Sequence, residues 1–171
     1  RIKNCDTIIK AFQELSRKYE NMELSFVGGP VKDDDFLYKQ ELENLVEKTG
    51  LNNLVKFVGT VPNNKISDYF CQADFSVNAT PVGGLDKAVI ESMATGQPIF
   101  TSNKAFIPFL GPWADQLVFN ENDHFDLAKK IEALLRSGKM NDVGFDLKSR
   151  AKEFGVEHVI EKLIYELEGL S

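Results

Sequence analysis

The sequence has few of the residues that build disulfide frameworks and metal sites. It contains two cysteines and two histidines among 171 residues, too few for a disulfide scaffold or a four-ligand zinc site. We expect Cys5 and Cys71 to be buried and reduced, in a protein of a reducing compartment. His124 and His158 have no neighbours typical of nucleophilic catalysis or metal binding. The sequence therefore predicts no bound metal.

Long apolar runs and an excess of positive charge are also missing. No stretch reaches the roughly 18 apolar residues that a membrane-spanning helix needs, and no secretory signal is visible. Lysine and arginine number 20 against 26 aspartates and glutamates, which gives a net charge of −6. The basic surface typical of nucleic-acid-binding proteins is therefore lacking. We expect a cytoplasmic protein that binds no nucleic acid.

The length and the 43% hydrophobic content suit one domain that covers residues 1–171. Short apolar strands alternate with helical patterns along the chain. The predicted strands cover residues 22–29, 54–58, 75–78, 98–101 and 117–119. The predicted helices cover residues 6–19, 33–50, 64–73, 86–95 and 123–137, with two more between 142 and 169. This alternation predicts an α/β fold with a Rossmann-like, doubly wound parallel sheet, whose strands are apolar on both faces.

Ligands of such sheets bind at the carboxyl ends of the strands. The loops at residues 28–30, 59–61, 80–84 and 101–105 each follow a predicted strand. We therefore expect these loops to share one rim.

The segment of residues 78–98, NATPVGGLDKAVIESMATGQP, combines a strand end, a glycine pair and a helix start. Gly83 and Gly84 allow close approach of the backbone to a ligand. The free N–H groups and the dipole of a helix start favour an anion, and Asp86 is placed to cap the helix. The segment predicts a phosphate site, although a tight turn alone would also explain the glycine pair.

Two charged positions have alternative interpretations. Glu91 follows Lys87 by four residues, so both lie on one helix face. They form either a surface ion pair of little energetic weight or a site in which the Glu91 carboxylate accepts hydrogen bonds from vicinal hydroxyls, such as those of a ribose. Lys3 precedes the first helix, and a lone lysine at such a position is most often solvated.

Five segments, in chain order, resemble the C-terminal half of the group 1 glycosyltransferases of the GT-B fold. These are retaining enzymes that transfer a sugar from a nucleotide donor. The segments are RIKNCDTIIKAFQEL, LSFVGGP, LVKFVGTVPNNKISDYFCQADFSV, GGLDKAVIESMATGQPI and GVEHVIEKLIYELEGL. The last one resembles the family's closing helix and implies a helix within residues 155–171.

The resemblance assigns the donor site residue by residue. The family carries two glutamates with seven residues between them. Glu91 falls on the second, which binds the ribose, whereas Gly83 falls on the first, which contacts the donor sugar near the reacting carbon. This departure leaves the catalytic residue unassigned.

Other donor contacts follow from the same resemblance. Lys3 aligns with the lysine that binds the donor pyrophosphate, and Val61 falls where the family contacts the nucleotide base. The loop whose backbone amides reach the sugar and the phosphates comprises Gly83, Gly84, Leu85, Asp86 and Lys87.

The resemblance implies a hexosyltransferase whose substrate is a UDP-, GDP- or ADP-sugar, with no cofactor and no metal. The acceptor, such as a glycan or a lipid-linked sugar, would bind an N-terminal domain of the same protein. The sequence begins with Arg1 rather than methionine, and we expect it to be part of a longer protein. Any membrane contact, such as a peripheral position at the inner face, would be made by that N-terminal domain.

Three alternatives stay open. Gly83 favours a non-catalytic nucleotide-sugar-binding or interaction domain with a degenerate site. A nucleotide-sugar epimerase of the GT-B fold fits the Asp86–Lys87 loop less well. A dinucleotide-binding domain is disfavoured, because no Gly-x-Gly-x-x-Gly opens a first strand–helix unit.

Overall fold

The computed structural model describes residues 3–81 and 86–153. Within these ranges short strands alternate with helices along the chain. The strands are β1 (Leu24–Val27), β2 (Val55–Gly59), β3 (Ser76–Asn78) and β4 (Ile99–Thr101). The helices are α1 (Cys5–Ser16), α2 (Asp33–Lys48), α3 (Asn63–Gln72), α4 (Lys87–Thr95), α5 (Ile107–Leu110), α6 (Ala114–Leu117), α7 (His124–Ser137) and α8 (Met140–Glu153).

The strands pair in parallel, as predicted for an α/β fold. β1 pairs with β2, and β3 pairs with β4. The predicted strand at residues 117–119 is reduced to a single parallel bridge between Thr101 and Val118, next to a 3.0 Å hydrogen bond from the Phe119 N–H to the Thr101 carbonyl. A strand does not form at residues 117–119 because α6 includes Leu117, the first residue of the predicted strand.

Helix α1 lies between two hydrophobic clusters and contributes to both. Ile8 and Leu15 pack in the larger cluster, together with the fully buried Phe100 of β4. Ile9 and Phe12 pack in the smaller cluster with side chains of α2 and β2. The spacing of these apolar positions at three to four residues places them on one broad stripe of the helix, and the stripe joins the two halves of the core.

The prediction that every strand is apolar on both faces holds for β4, whose three residues are buried. It is wrong for β1, where burial alternates along the strand and Ser25 and Val27 are exposed. In the described part of the chain, β1 is therefore covered on one face only.

Between β4 and residue 117 the sequence predicted a loop at 101–105 and no helix, but most of this region is helical. It contains α5, α6 and two single-turn 3-10 helices, Lys104–Phe106 and Gly111–Trp113. Pro108, Gly111 and Pro112 interrupt it. Each helical piece is therefore too short to show a 3.6-residue period.

The start of α1 and the state of the cysteines differ from the sequence expectation. The sequence pattern predicts Asp6 as the cap of the first helix, but Asp6 lies inside the first turn. Its carboxylate accepts hydrogen bonds from Lys10 and from the Tyr38 hydroxyl instead. Cys71 is exposed on α3, so its predicted burial is wrong. Cys5 is partly buried, and burial raises the pKa of its thiol to about 11.

The C-terminal prediction is tested only as far as residue 153. The first predicted tail helix is confirmed as α8, while the predicted closing helix at 155–171 lies outside the described residues. In the described ranges, every helix is too short or too polar to cross a bilayer.

Candidate functional site

The strand-end loops form a rim within each strand pair. The sequence predicted one rim for all four loops, whereas the described strands pair as two two-stranded sheets, β1 with β2 and β3 with β4. After β1 and β2, the Gly28 N–H donates to the Gly59 carbonyl at 2.9 Å. After β3 and β4, the Ser102 N–H donates to the Asn78 carbonyl at 3.1 Å, and the Ser102 hydroxyl donates to the Thr80 carbonyl at 3.2 Å. The loops that follow paired strands are therefore held against each other.

Asp86 is the centre of a hydrogen-bond network at the β3 end of this rim. It is the N-cap of α4, as predicted, and its Oδ1 accepts from the Ala88 N–H at 3.2 Å. Its Oδ2 accepts three bonds, from Asn78 Nδ2 at 2.9 Å, Thr80 Oγ1 at 3.1 Å and Lys3 Nζ at 2.6 Å. The network joins the chain start, the end of β3 and the start of α4.

Asn78 and Thr80 were not predicted as site residues. Asn78 is 7% exposed, and its Oδ1 accepts from the Thr80 N–H at 3.3 Å. A buried strand that ends in polar side chains directly before a glycine loop is the sequence signal that would have found them. Such side chains stay buried only where they have hydrogen-bond partners, and Asp86 provides one for each.

The carboxyl group of Asp86 is strongly biased toward its charged form. Partial burial raises its pKa, but the hydrogen bonds from Lys3, Asn78 and Ala88 lower it more, to about 2. The exposed fraction of the Asp86 side chain is 15%, compared with 61% for Lys3. A nearly buried anion therefore holds a largely exposed cation.

This pKa shift predicts a pH dependence of stability. An aspartate in the unfolded chain has a pKa of about 3.9. Asp86, whose folded pKa is lower, therefore stabilises the fold above about pH 4, and this contribution is lost as the pH falls toward 2. The Asp86→Asn variant keeps a capping side chain and removes the titration. In urea unfolding at pH 6, 4 and 3, the stability difference between wild type and variant should shrink steadily. An unchanged difference at pH 3 would contradict the assigned shift.

Lys87 and Glu91 share one face of α4, as predicted. Lys87 Nζ lies 2.9 Å from Glu91 Oε1, and the exposed fractions of the two side chains are 82% and 34%. An exposed pair of this kind contributes about 0.3–0.5 kcal/mol. The Glu91 carboxylate is therefore accessible to a ligand and only weakly stabilised by its ion pair with Lys87.

The remaining predicted site residues are Val61 and residues 83–85. Val61 is half-buried in the loop between β2 and α3, on the rim of the other strand pair. Gly83, Gly84 and Leu85 lie outside the described residues. Across residues 3–81 and 86–153, no group of three or more His, Cys, Asp and Glu side chains is arranged to hold a metal ion.

Comparison with known proteins decides the family. The family model for glycosyl transferases group 1 matches residues 1–154. The chain belongs to the group 1 glycosyltransferases. An uncharacterized glycosyltransferase of Haemophilus influenzae is 26% identical over 170 residues, a match that covers 94% of this chain and 44% of that protein.

Solved structures show the fold of this group 1 glycosyltransferase chain. HepE of Anabaena, solved in complex with UDP, superimposes with a TM-score of 0.83 at 18% identity and covers 98% of this chain and 46% of its own. The C-terminal domain of LpcC, a group 1 family protein of Francisella tularensis, gives 0.77 at 20% identity and covers 91% of this chain and 81% of its own. The fold is that of a GT-B C-terminal domain, and the chain spans less than half the length of the Haemophilus relative.

Proposed function

We propose that this chain is the donor-binding domain of a retaining hexosyltransferase, which moves a hexose from a nucleotide-sugar to an acceptor such as a glycan or a lipid-linked sugar. The start of α4 carries the proposal. There a helix N-terminus at the end of β3 lies beside the ammonium of Lys3, and Glu91 follows within the same helix. A helix N-terminus and a lysine together form an anion site.

In this proposal each donor-binding residue contacts a different part of the nucleotide-sugar. Lys3 binds the diphosphate. The Glu91 carboxylate accepts hydrogen bonds from the two ribose hydroxyls, and Val61 contacts the base. Backbone amides of the loop bind the phosphates and the sugar; its residues are Gly83, Gly84, Leu85, Asp86 and Lys87. The similarity to HepE, which was solved with UDP, supports a nucleoside diphosphate as the ligand.

The proposed chemistry depends on stabilising the leaving group. The bond between the anomeric carbon and the β-phosphate oxygen breaks while the acceptor hydroxyl oxygen bonds to that carbon from the same face of the sugar, and the hydroxyl proton passes to the departing phosphate oxygen. Negative charge then grows on the diphosphate, and the Lys3 ammonium and the loop amides lower the barrier by stabilising that charge. The proposal assigns no role to a metal or a cofactor.

The acceptor belongs to a different part of the protein in this proposal. The chain spans 44% of the Haemophilus relative, and we assign acceptor binding to an N-terminal domain of a longer cytoplasmic protein. Contact with the inner membrane face, where it occurs, belongs to that domain. The 171-residue chain therefore binds the donor without turning it over.

Calorimetry with UDP, GDP and ADP tests the donor assignment. We expect one of the three to bind with a dissociation constant of about 1 mM or tighter. Binding near the weak end of this range is expected because the described rim holds only one side of the ligand. Inorganic pyrophosphate serves as the control without a nucleoside and should bind more weakly. If none of the nucleotides binds to a sample that circular dichroism shows to be folded, the proposal is wrong.

Gly83 supports a second candidate, a nucleotide-sugar-binding domain that has lost its chemistry. The position of the family's first glutamate is a glycine here. In the full-length protein, Gly83→Glu separates the two candidates. A protein without transferase activity that gains it on substitution is a degenerate binder. A protein that is active as Gly83 and gains nothing is an enzyme with a different sugar contact.

A further inference from the structure

We infer that Asp86 is a positioning residue, which holds Lys3 where its ammonium meets the donor diphosphate; this rests on the function proposed above. The resemblance to the family places Asp86 only among loop residues that offer backbone amides. The structure gives its side chain a separate task, since a single carboxylate oxygen binds Lys3 across 83 positions of sequence.

Asp86 is anchored independently of Lys3. Its Oδ1 is fixed by the Ala88 N–H, and its Oδ2 also accepts from Asn78 and Thr80. Asn78 is itself buried at the end of β3. Loss of the Lys3 bond therefore leaves the carboxylate in place, so the aspartate is the fixed partner of the pair.

Lys3 is the partner that needs to be fixed. Its side chain is 61% exposed, and within residues 3–81 and 86–153 its ammonium contacts the Asp86 carboxylate, at 2.6 Å. A free lysine side chain loses rotamer entropy when it binds a ligand, and the bond to Asp86 removes part of that loss beforehand. An ammonium has three N–H donors, so a diphosphate can bind the remaining two while the bond to Asp86 persists.

The charge of Asp86 acts in the opposite direction. A carboxylate near a diphosphate repels it, and removing only that charge would strengthen nucleotide binding. Here the charge is compensated by the Lys3 ammonium and by donors from Asn78, Thr80 and Ala88. We therefore expect the loss of positioning to exceed the gain from reduced repulsion. The two effects have opposite signs, which makes the inference testable.

The test is a cycle of UDP and uridine titrations on four proteins: wild type, Asp86→Asn, Lys3→Met and the double variant. Asp86→Asn should weaken UDP binding about tenfold, which corresponds to about 1.4 kcal/mol. Lys3→Met should weaken it at least as much, and adding Asp86→Asn to Lys3→Met should weaken it no further. Uridine, which has no phosphate, should bind all four proteins equally. Asp86→Glu, which keeps the charge on a longer side chain, should recover part of the loss.

Two outcomes would overturn the inference. One is tighter UDP binding by Asp86→Asn, which would make Asp86 a source of repulsion. The other is an equal loss on Asp86→Asn with and without Lys3, which would make its effect structural.

A ligand-free measurement separates this inference from the proposed function. The NMR order parameter of the Lys3 Cε methylene should fall in Asp86→Asn, because the tether is weakened. If wild type binds no nucleotide while this order parameter falls, the proposed function fails and the Lys3–Asp86 tether stands. If the order parameter is unchanged, the tether fails whatever the titrations show.

Discussion

Replacement of Gly144 by alanine is expected to lower the free energy of unfolding by about 2 kcal/mol, at the level of an overpacked core. Gly144 is a buried residue of α8, where the helix crosses the end of α4. A Cβ at this position would overlap with the carbonyl oxygen of Gly96 and lie 3.1 Å from its carbonyl carbon. Both are backbone atoms, so the two helices would have to separate.

Gly96 has little freedom to move away. It ends α4 as predicted, with a φ of 87° that favours glycine, and its N–H bonds back to Met93. At an exposed helix position the same change from glycine to alanine would stabilise the protein by about 1 kcal/mol. The predicted sign is therefore opposite to that of helix propensity alone, and only the helix contact explains it.

Urea unfolding measures this effect. Ser149→Ala is the matched control, because Ser149 is an exposed residue of the same helix and alanine there should be neutral or slightly stabilising. Gly144→Val should cost more than Gly144→Ala, since it adds volume at the same contact. A Gly144→Ala protein as stable as wild type would show that α4 and α8 pack less closely than described.

Replacement of Glu91 by glutamine is expected to weaken UDP binding by one to two orders of magnitude. In the proposed site the carboxylate accepts two hydrogen bonds from the ribose, and a hydrogen bond to a charged group contributes about 1.5–3 kcal/mol. A glutamine has one acceptor oxygen and no charge. The ion pair with Lys87 is exposed, so the variant should keep the stability of wild type within a few tenths of a kcal/mol.

The chain offers a matched control for this variant. Lys39 and Glu43 form an ion pair of the same i,i+4 spacing on α2, with Nζ and Oε1 3.3 Å apart and both side chains exposed. Glu43→Gln should leave UDP binding unchanged. The ligand 2′-deoxy-UDP lacks one ribose hydroxyl. It should bind wild type more weakly than UDP does, whereas Glu91→Gln should bind the two ligands with equal affinity. If Glu91→Gln still prefers UDP over the deoxy ligand as strongly as wild type does, Glu91 is not the ribose ligand.

The elements that build the site could be predicted because their signals are local. A capping aspartate and a terminating glycine define the two ends of α4, and four strands lie where short apolar runs predicted them. The bond between Lys3 and Asp86 could not be predicted, since it joins residues far apart in sequence. Residues 104–117 were missed for the opposite reason, because their helical turns are too short for a periodic pattern.

The sequence allowed two interpretations of Glu91, a surface ion pair and a ligand site. Sequence spacing placed Lys87 and Glu91 on one face, and the structure confirms that they pair. The pair exists under either interpretation when no ligand is bound. The two interpretations differ in what a bound nucleotide contacts, which the titrations of Glu91→Gln measure.

Mapping of UDP by two-dimensional ¹H–¹⁵N NMR is the most direct test of the donor site. The largest shifts should fall on the amides of Asn4, Thr80, Ala88 and Val89, which surround the Lys3–Asp86 pair, with a second group at Gly59–Val61 for the base. The fit of all these shifts should give one dissociation constant. Shifts confined to the far side of α2 and α7, or no shifts at a UDP concentration of about 10 mM, would contradict a nucleotide site at the start of α4.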